Sequence, residues 1–138
     1  LGYRLLKYLY RTHYIHGNSS RVNLGKSVST MNTIFNVSSG NINVGDNTIF
    51  GHNVMILTGQ HRFFDGRRER LTTNKPDAPT VGYDINIGEG CWIASGAQIL
   101  RGVNIGNNVI IGAGAIVNKD IPDGVFAAGV PAKVIRSV

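Results

Sequence analysis

The residue with the clearest chemical potential is His61, which stands where a regular sequence pattern breaks. The six-residue units VGDNTI and FGHNVM precede it, and a long segment with many charged residues follows it. An imidazole titrates close to neutral pH, so a histidine beside an irregular loop can serve as a general base. The alternative is an ordinary histidine on a surface loop, and spacing alone leaves both interpretations open. The other histidines are interpreted as structural or solvent-facing: His13, His16 and His52.

A period of six residues indicates the elements that must position His61. From Ile87 to Val117, every sixth residue is a β-branched aliphatic, and the fourth residue after each one is small or aliphatic. An amphipathic helix repeats near every 3.6 residues and an alternating strand every two, so neither explains the pattern. The period is typical of a parallel β-helix built from short strands and corners. A glycine often follows the aliphatic, and we expect it to supply the left-handed backbone angles of a corner.

The same pattern divides the chain, which we interpret as a single domain, into a repeat with one long interruption. β-Helix coils are predicted over residues 22–57 and 85–122. Residues 58–84 form a loop that protrudes from the prism, and residues 123–138 form a C-terminal segment. In residues 1–16, leucines and tyrosines alternate with basic residues, as in a short amphipathic helix. We expect this helix to cap the open end of the prism, or alternatively to rest on a membrane surface.

Composition limits the classes of partner and of compartment. The net charge of +6 favours an anionic partner. Nucleic acid is disfavoured because the basic residues are not interleaved with an aromatic stacking platform and no nucleic-acid motif is present. A phosphorylated small molecule suits the charge equally well. The single cysteine, Cys91, excludes an internal disulfide framework and fits a reducing compartment, so we expect a cytoplasmic protein.

The most specific motifs lie between residues 85 and 135. The runs CWIASGA, GVNIGNNVIIGAGAIV and AAGVPAKVI resemble the hexapeptide-repeat acyltransferases, in particular the galactoside, maltose and capsular-sugar O-acetyltransferases. The run VGDNTIFGHNVMILTGQH is similar to the coil that leads to that family's histidine. The resemblance implies an all-β fold, a left-handed parallel β-helix with a short N-terminal helix and a protruding loop. It also implies a homotrimer with active sites between neighbouring prisms.

The resemblance assigns the acceptor side of a site. It implies that His61 is the general base and that Asn32, on the preceding coil, helps to hold the acceptor. The alignment that brings Asn32 there needs a gap of one residue, so Asn36 is a rival. Relatives often carry an acidic residue where this chain has Ser38 and Ser39, and that difference argues against a galactoside-like acceptor pocket.

The resemblance also assigns the donor side, which implies acetyl-CoA as co-substrate. Trp92 would wall the cleft near the acyl group; by alternation its side chain points outward, where it can also pack against the next subunit. Main-chain groups of Ser95 and Ala113 would line the pantetheine arm, and the Ser95 amide would stabilise the oxyanion. Basic side chains would face the phosphates of the coenzyme. The donor residues are Ser95, Ala113, Asn118, Lys119, Lys133 and Arg136.

These assignments predict an acetyl-CoA-dependent O-acetyltransferase that acts on a sugar hydroxyl of a surface polysaccharide or its precursor. The acceptor attacks directly, with His61 as base and without a metal. A covalent route through Cys91 is disfavoured because its column places the thiol inside. One alternative is N-acetylation of an amino sugar on the same fold. A second is a non-catalytic scaffold, which leaves His61 and the AAGVPAKVI tail unexplained. A third is a zinc enzyme that hydrates carbon dioxide, whose histidine spacing this chain does not show.

Overall fold

The computed structural model of the protein describes residues 12–138, which form a stack of short strands. A 3₁₀ turn covers Ser19–Arg21, and one α-helix, α1, covers Glu69–Thr73. The strands in chain order are β1 (His13–His16), β2 (Val22–Leu24), β3 (Ser29–Met31), β4 (Thr33–Asn36), β5 (Ile42–Val44), β6 (Ile49–His52), β7 (Met55–Leu57), β8 (Phe63–Phe64), β9 (Arg67–Arg68), β10 (Ile85–Ile87), β11 (Trp92–Ile93), β12 (Gln98–Leu100), β13 (Asn104–Ile105), β14 (Ile110–Ile111), β15 (Ile116–Val117), β16 (Val125–Gly129) and β17 (Ala132–Ser137).

The strands form three sheets that the chain visits in turn. Sheet A has the order β1-β4-β7-β12-β15, sheet B the order β2-β5-β10-β13, and sheet C the order β3-β6-β11-β14-β16-β17. All pairs within these sheets are parallel except β16 with β17, which close sheet C as an antiparallel hairpin. The chain passes from B to C to A and returns to B one coil further along. The predicted all-β parallel β-helix of hexapeptide repeats is confirmed.

The core is built from the two predicted columns. The β-branched aliphatics at every sixth position are all buried: Ile87, Ile93, Ile99, Ile105, Ile111 and Val117. The residues four positions after them are buried too: Cys91, Ala97, Val103, Val109, Ala115 and Ile121. Side chains of successive coils therefore stack like on like inside the prism, and the apolar surface they remove from water is the main stabilising term.

The long interruption does not disturb the stacking. Along sheet B, the side-chain amides of Asn23, Asn43, Asn86 and Asn104 form an outward-facing ladder in which each donates to the next at 2.8 Å. The bonded residues lie 20, 43 and 18 positions apart in the sequence. The ladder stays in register across the step of 43, because the loop leaves after β7 and returns at β10 along the same edge of the prism, between sheets A and B.

The predicted helix over residues 1–16 is wrong at its C-terminal end. His13–His16 is a strand, β1, that pairs in parallel with β4. The reason is that Ile15 packs against the core, while the backbone of β1 supplies the partner that the outer side of β4 needs. The solenoid therefore begins before residue 22. The rest of the predicted helix, and with it the suggested membrane contact, lies outside the described residues.

The glycines that follow the aliphatics serve a different purpose from the one expected. Gly45 and Gly88 are absent from the residues with positive φ; the left-handed corner positions come two residues later, as at Gly90 and Asn108. A Cβ atom on Gly45 would lie 2.5 Å from the amide nitrogen of Glu89, and one on Gly88 would lie 2.6 Å from the Gly106 carbonyl oxygen. Glycine is required there because adjacent coils approach too closely for any side chain.

The loop from residue 58 to residue 84 carries a small structure of its own. Strands β8 and β9 form an antiparallel hairpin, and α1 follows directly. Within residues 12–138, no helix has the length and apolar character needed to cross a membrane.

We predict that Gly88→Ala lowers the free energy of unfolding by about 1–3 kcal/mol, because the methyl group would force two coils apart. Gly102→Asn is the matched control: Gly102 has φ of +74° and open space around its Cβ position, and asparagine tolerates the left-handed region. We expect the control to unfold within about 0.5 kcal/mol of the wild type. Urea denaturation of the three proteins measures both effects, and equal stability of Gly88→Ala would contradict the steric argument.

Candidate active site

His61 lies at the point where the chain leaves the solenoid. Strand β7 ends at Leu57, and Thr58 is still fixed to the previous coil, because its amide and hydroxyl both donate to the carbonyl oxygen of Asn36 at 3.0 and 2.9 Å. The amide of Gln60 donates to the hydroxyl of Ser39 at 3.2 Å. The imidazole follows directly, with 57% of its side chain exposed. The backbone before His61 is therefore fixed to the prism, while the imidazole ring itself is accessible.

A carboxylate from the far end of the loop orients this ring. Nδ1 of His61 lies 3.2 Å from Oδ1 of Asp77, whose side chain is only 7% exposed. The backbone reinforces the pair, because the amide of Arg62 donates to the Asp77 carbonyl oxygen at 2.7 Å and its guanidinium donates to the Pro76 carbonyl oxygen at 3.0 Å. The two ends of the loop are thereby fastened together at the histidine.

The electrostatics of the pair fix the histidine tautomer. The hydrogen bond from His61 lowers the pKa of the Asp77 carboxyl, and although burial acts in the opposite direction, the guanidinium of Arg68 also favours the charged form. The Nε atom of Arg68 lies 3.6 Å from Oδ2 of Asp77. Because an ionised carboxylate can only accept, Nδ1 of His61 donates its proton to Asp77, and Nε2 carries a lone pair that can take a proton.

Further contacts brace the loop internally and hold it on the prism. Within the loop, Arg62 pairs with Glu69 at the start of α1 at 2.8 Å. At the other end, the guanidinium of Arg21 donates to the carbonyl oxygen of Thr80 at 2.8 Å and to that of Val37 at 2.9 Å. The loop is therefore folded and tethered, and it supports His61.

Sequence reasoning did not find Asp77. The carboxylates that follow His61 most closely in the chain are Asp65 and Glu69, and neither pairs with it. Glu69 instead pairs with Arg62, and Asp65 occupies the turn of the hairpin with φ of +50°. Asp77 lies 16 residues from His61 in a segment without a repeat, so no spacing rule connects the two. The sequence offered only a general indication, which is that Asp77 is one of the carboxylates in the loop that begins near His61.

A cleft of about 500 Å³ lies beside the imidazole and is lined by uncharged polar groups and small apolar ones. In it, Oδ1 of Asn36 accepts from the amide and the hydroxyl of Ser38 at 2.9 and 2.6 Å, which leaves the Asn36 amino group free to donate. A Cβ atom on Gly59 would lie 3.3 Å from both side chains, so this glycine keeps the space open. The lining residues are His16, Asn36, Ser38, Leu57, Gly59, Gln60, His61 and Ala78.

The structure brings Asn36, not Asn32, into the cleft with His61. Asn32 occupies a corner between sheets C and A, with φ of +53°, and its side-chain amide donates to the side chain of Asn53 on the next coil. That is the position of a corner residue. Within one chain Asn32 and His61 lie on different edges of the prism, so a role for Asn32 at the acceptor stays a prediction that needs a second chain.

The predicted donor residues also lie away from His61. Ser95 and Ala113 are exposed at the corner between sheets C and A, one coil apart, and neither backbone amide donates a hydrogen bond among the described residues. Trp92 points outward from sheet C, as predicted, with 49% of its surface exposed. The remaining donor residues are exposed: Asn118 and Lys119 follow β15, and Lys133 and Arg136 lie on β17.

Comparisons with known proteins place these features in a family. The model of the family described as "Bacterial transferase hexapeptide (six repeats)" matches residues 84–119. The chain is 34% identical to the galactoside O-acetyltransferase of Escherichia coli (strain K12). The alignment covers 86% of this chain and 55% of that protein. A second galactoside O-acetyltransferase, from Lactococcus lactis, is also 34% identical, with coverage of 91% and 57%. The chain thus spans little more than half the length of these relatives.

Solved structures also show similarity to O-acetyltransferases of this kind. A galactoside acetyltransferase in complex with coenzyme A superposes with a TM-score of 0.71 at 34% identity, covering 93% of this chain and 60% of that one. A maltose O-acetyltransferase from Clostridium difficile 630 superposes with a TM-score of 0.70 at 29% identity, covering 91% of this chain and 66% of that one.

We predict that Asp77→Asn lowers thermal stability at neutral pH and has little effect in strong acid. The native pKa of Asp77 lies below its ordinary value of 3.8, so its stabilising contribution is present above that value and is lost as the pH falls through the native pKa. Melting temperatures of the wild type and the variant should therefore converge as the pH falls through the native pKa of Asp77. Asp65→Asn, in the exposed hairpin turn, is the control and should track the wild type. A gap that is unchanged at low pH would contradict the assignment.

Proposed function

This chain belongs to the hexapeptide-repeat acyltransferase family, and from that premise we propose that it transfers the acetyl group of acetyl-CoA to a hydroxyl group of a sugar. The family match and the galactoside and maltose O-acetyltransferase relatives support the class of reaction. The observation that carries the proposal is the pairing of His61 with Asp77 at 3.2 Å beside a cleft of neutral polar groups. We further propose that the acceptor belongs to a surface polysaccharide or its precursor and that the reaction takes place in the cytoplasm.

In the proposed mechanism, Nε2 of His61 takes the proton of the acceptor hydroxyl while that oxygen attacks the carbonyl carbon of the thioester. When the carbon–sulfur bond breaks, His61 returns the proton to the departing sulfur, so the products are the acetyl ester and free coenzyme A. Asp77 keeps the ring in the required tautomer and stabilises the imidazolium that forms between the two proton transfers. The buried thiol of Cys91 takes no part.

The donor assignments fit the groups that the structure presents. The free amides of Ser95 and Ala113 suit the carbonyl groups of a pantetheine arm, and the Ser95 amide can stabilise the charge that develops on the thioester oxygen. Lys119 and Lys133 form no ion pair among the described residues, so both are available for phosphate groups. Arg136 stacks on Phe126 at 5.5 Å, which holds the guanidinium on the surface of sheet C. Asn118 adds a polar group next to Lys119.

The cleft beside His61 suits the acceptor. Asn36 offers an amino group, Ser38 offers a hydroxyl oxygen with free lone pairs, and Gln60 offers its side-chain oxygen, because its Nε2 already donates to the His61 carbonyl oxygen at 2.8 Å. Adjacent donors and acceptors of this kind match the neighbouring hydroxyl groups of a sugar ring. The acceptor therefore sits on the edge between sheets A and B, within reach of the base.

A single chain separates the two halves of this reaction. His61 lies on the edge between sheets A and B, whereas Ser95 and Ala113 lie on the corner between sheets C and A. A transfer reaction needs the base, the acceptor and the thioester within a few ångströms of one another. We therefore propose a homotrimer in which each site takes its base from one chain and its donor corner, with Trp92 and Asn32, from the next.

We predict that His61→Ala lowers kcat for acetyl transfer by roughly 10²- to 10⁴-fold, because the hydroxyl then has no positioned base. Turnover is measured with acetyl-CoA and a panel of hydroxyl and amine sugars. Donor binding serves as the internal control: acetyl-CoA should raise the melting temperature of the variant as much as that of the wild type. Near-full turnover by the variant would contradict the mechanism.

We predict that Lys133→Ala raises KM for acetyl-CoA by about tenfold with little change in kcat, because a charge-assisted contact to a phosphate contributes to donor binding throughout the reaction. Lys75→Ala, which removes an exposed lysine of the protruding loop, should leave KM unchanged and controls for the loss of charge. A lower kcat at unchanged KM would contradict the assignment of Lys133 to donor binding.

A further inference from the structure

The protruding loop carries an exposed aromatic pair. Phe63 and Phe64 form strand β8 with 69% and 57% of their surfaces exposed, and Arg68 and Arg67 face them across the hairpin. We name residues 63–68 the aromatic arm. Two adjacent phenylalanines leave a large apolar surface in contact with water, and burying it against a partner would be favourable. Nothing among the described residues covers them.

Sheet C carries a second exposed apolar feature. Ile49, Trp92, Ile110 and Phe126 lie side by side on β6, β11, β14 and β16 with their side chains pointing outward. We name these residues the apolar ladder. Ile49 and Trp92 are its most open part, with 47% and 49% of their surfaces exposed. This part is also where the donor side of the proposed site begins.

The arm of a chain cannot cover the ladder of the same chain. The arm leaves the prism on the edge between sheets A and B, and in a three-sided prism this edge lies opposite the face of sheet C. Both features nevertheless lie at the same height along the stack, because Ile49 on β6 and the exit point after Leu57 on β7 belong to one coil. An edge on one copy and a face on another therefore make a head-to-tail contact, which closes into a ring when its rotation permits.

Charge complementarity selects a second copy as the occupant. Arg67 on the arm and Arg70 just after it form no ion pair among residues 12–138. The ladder is bordered by carboxylates at the corner between sheets B and C: Asp46 and Glu89 lie on adjacent coils, and Asp123 lies two coils beyond Glu89, with the neutral Asn107 between them. A basic aromatic arm and an apolar face with an acidic border are mutually complementary.

We propose that the aromatic arm of one copy docks on the apolar ladder of the next copy, with Phe63 and Phe64 against Ile49 and Trp92. This inference rests on the proposed function, because that function supplies the trimer. It adds the element that assembles the shared site: His61 stands two residues before the arm, so docking of the arm carries the base to the tryptophan of the neighbouring chain. The loop then supplies both the orientation of His61 and its delivery.

Cysteine cross-linking tests the contact independently of catalysis. The double variant Phe64→Cys with Ile49→Cys, treated with a short bifunctional maleimide, should give covalent trimers on a denaturing gel. Each single variant should give none, and the native Cys91, which is 1% exposed, contributes no background. The matched control pairs Phe64→Cys with Leu24→Cys, an exposed aliphatic on sheet B. An oligomer in which the first pair stays uncross-linked, or the control pair links equally well, overturns the proposal.

A second experiment separates the copy from other partners. The variant Phe63→Ser with Phe64→Ser should raise the dissociation constant of the oligomer at least about tenfold by sedimentation equilibrium, as expected for two lost aromatic contacts. Val81→Ser, on an equally exposed apolar residue of the same loop, should leave it unchanged. If the variant keeps the wild-type assembly and loses binding to anionic lipid vesicles instead, the arm is a membrane contact and the proposal is wrong. Cross-linked trimers that lack acetyl transfer would refute only the proposed function.

Discussion

The close contact between successive coils is the constraint on which the rest of the structure depends. Each coil donates its backbone hydrogen bonds to the next at the ordinary spacing of strands. Gly45 and Gly88 exist because a single Cβ atom would collide with the coil beyond. With the backbone fixed in this way, the inward side chains must stack in columns, and the outward ones form ladders such as the four asparagines of sheet B. The regular prism is thus rigid and chemically plain, and its chemistry lies where the regularity stops.

The interruption is tolerated because it leaves and returns at one edge. Loop closure costs little more for a long loop than for a short one, so the stack can carry the insertion while Asn43 and Asn86 remain hydrogen-bonded. The loop gains what the prism lacks, namely a side chain that is neither inside a column nor part of an outward ladder. His61 occupies such a position, and Asp77 reaches it from the other end of the same loop.

Sequence periodicity predicted the features that coil stacking determines. It failed for residues whose positions do not depend on stacking. The buried columns followed from spacing, because every coil places the same side chains in the same environment. His61 could be located as the residue at the break. Asp77 could not, since its contact depends on how the loop folds back. The short strand at residues 13–16 was missed because alternating apolar and basic residues suit an edge strand as well as a helix. Asn32 carried the family's expected residue type, yet its corner geometry is shared by Asn53, Gly96 and Gly114 on later coils.

The tethers of the loop show why a protruding segment can hold a general base. A free loop would leave the imidazole with many orientations, and ordering it in the transition state would add to the barrier. Here Arg62 binds the far end of the loop at Pro76 and Asp77, while Arg21 binds its exit at Thr80. The entropic cost is met during folding, by hydrogen bonds to main-chain carbonyls that do not depend on the acceptor. The arm is an exposed part of this loop, and a surface that is held in place but unpaired is suited to contact another chain.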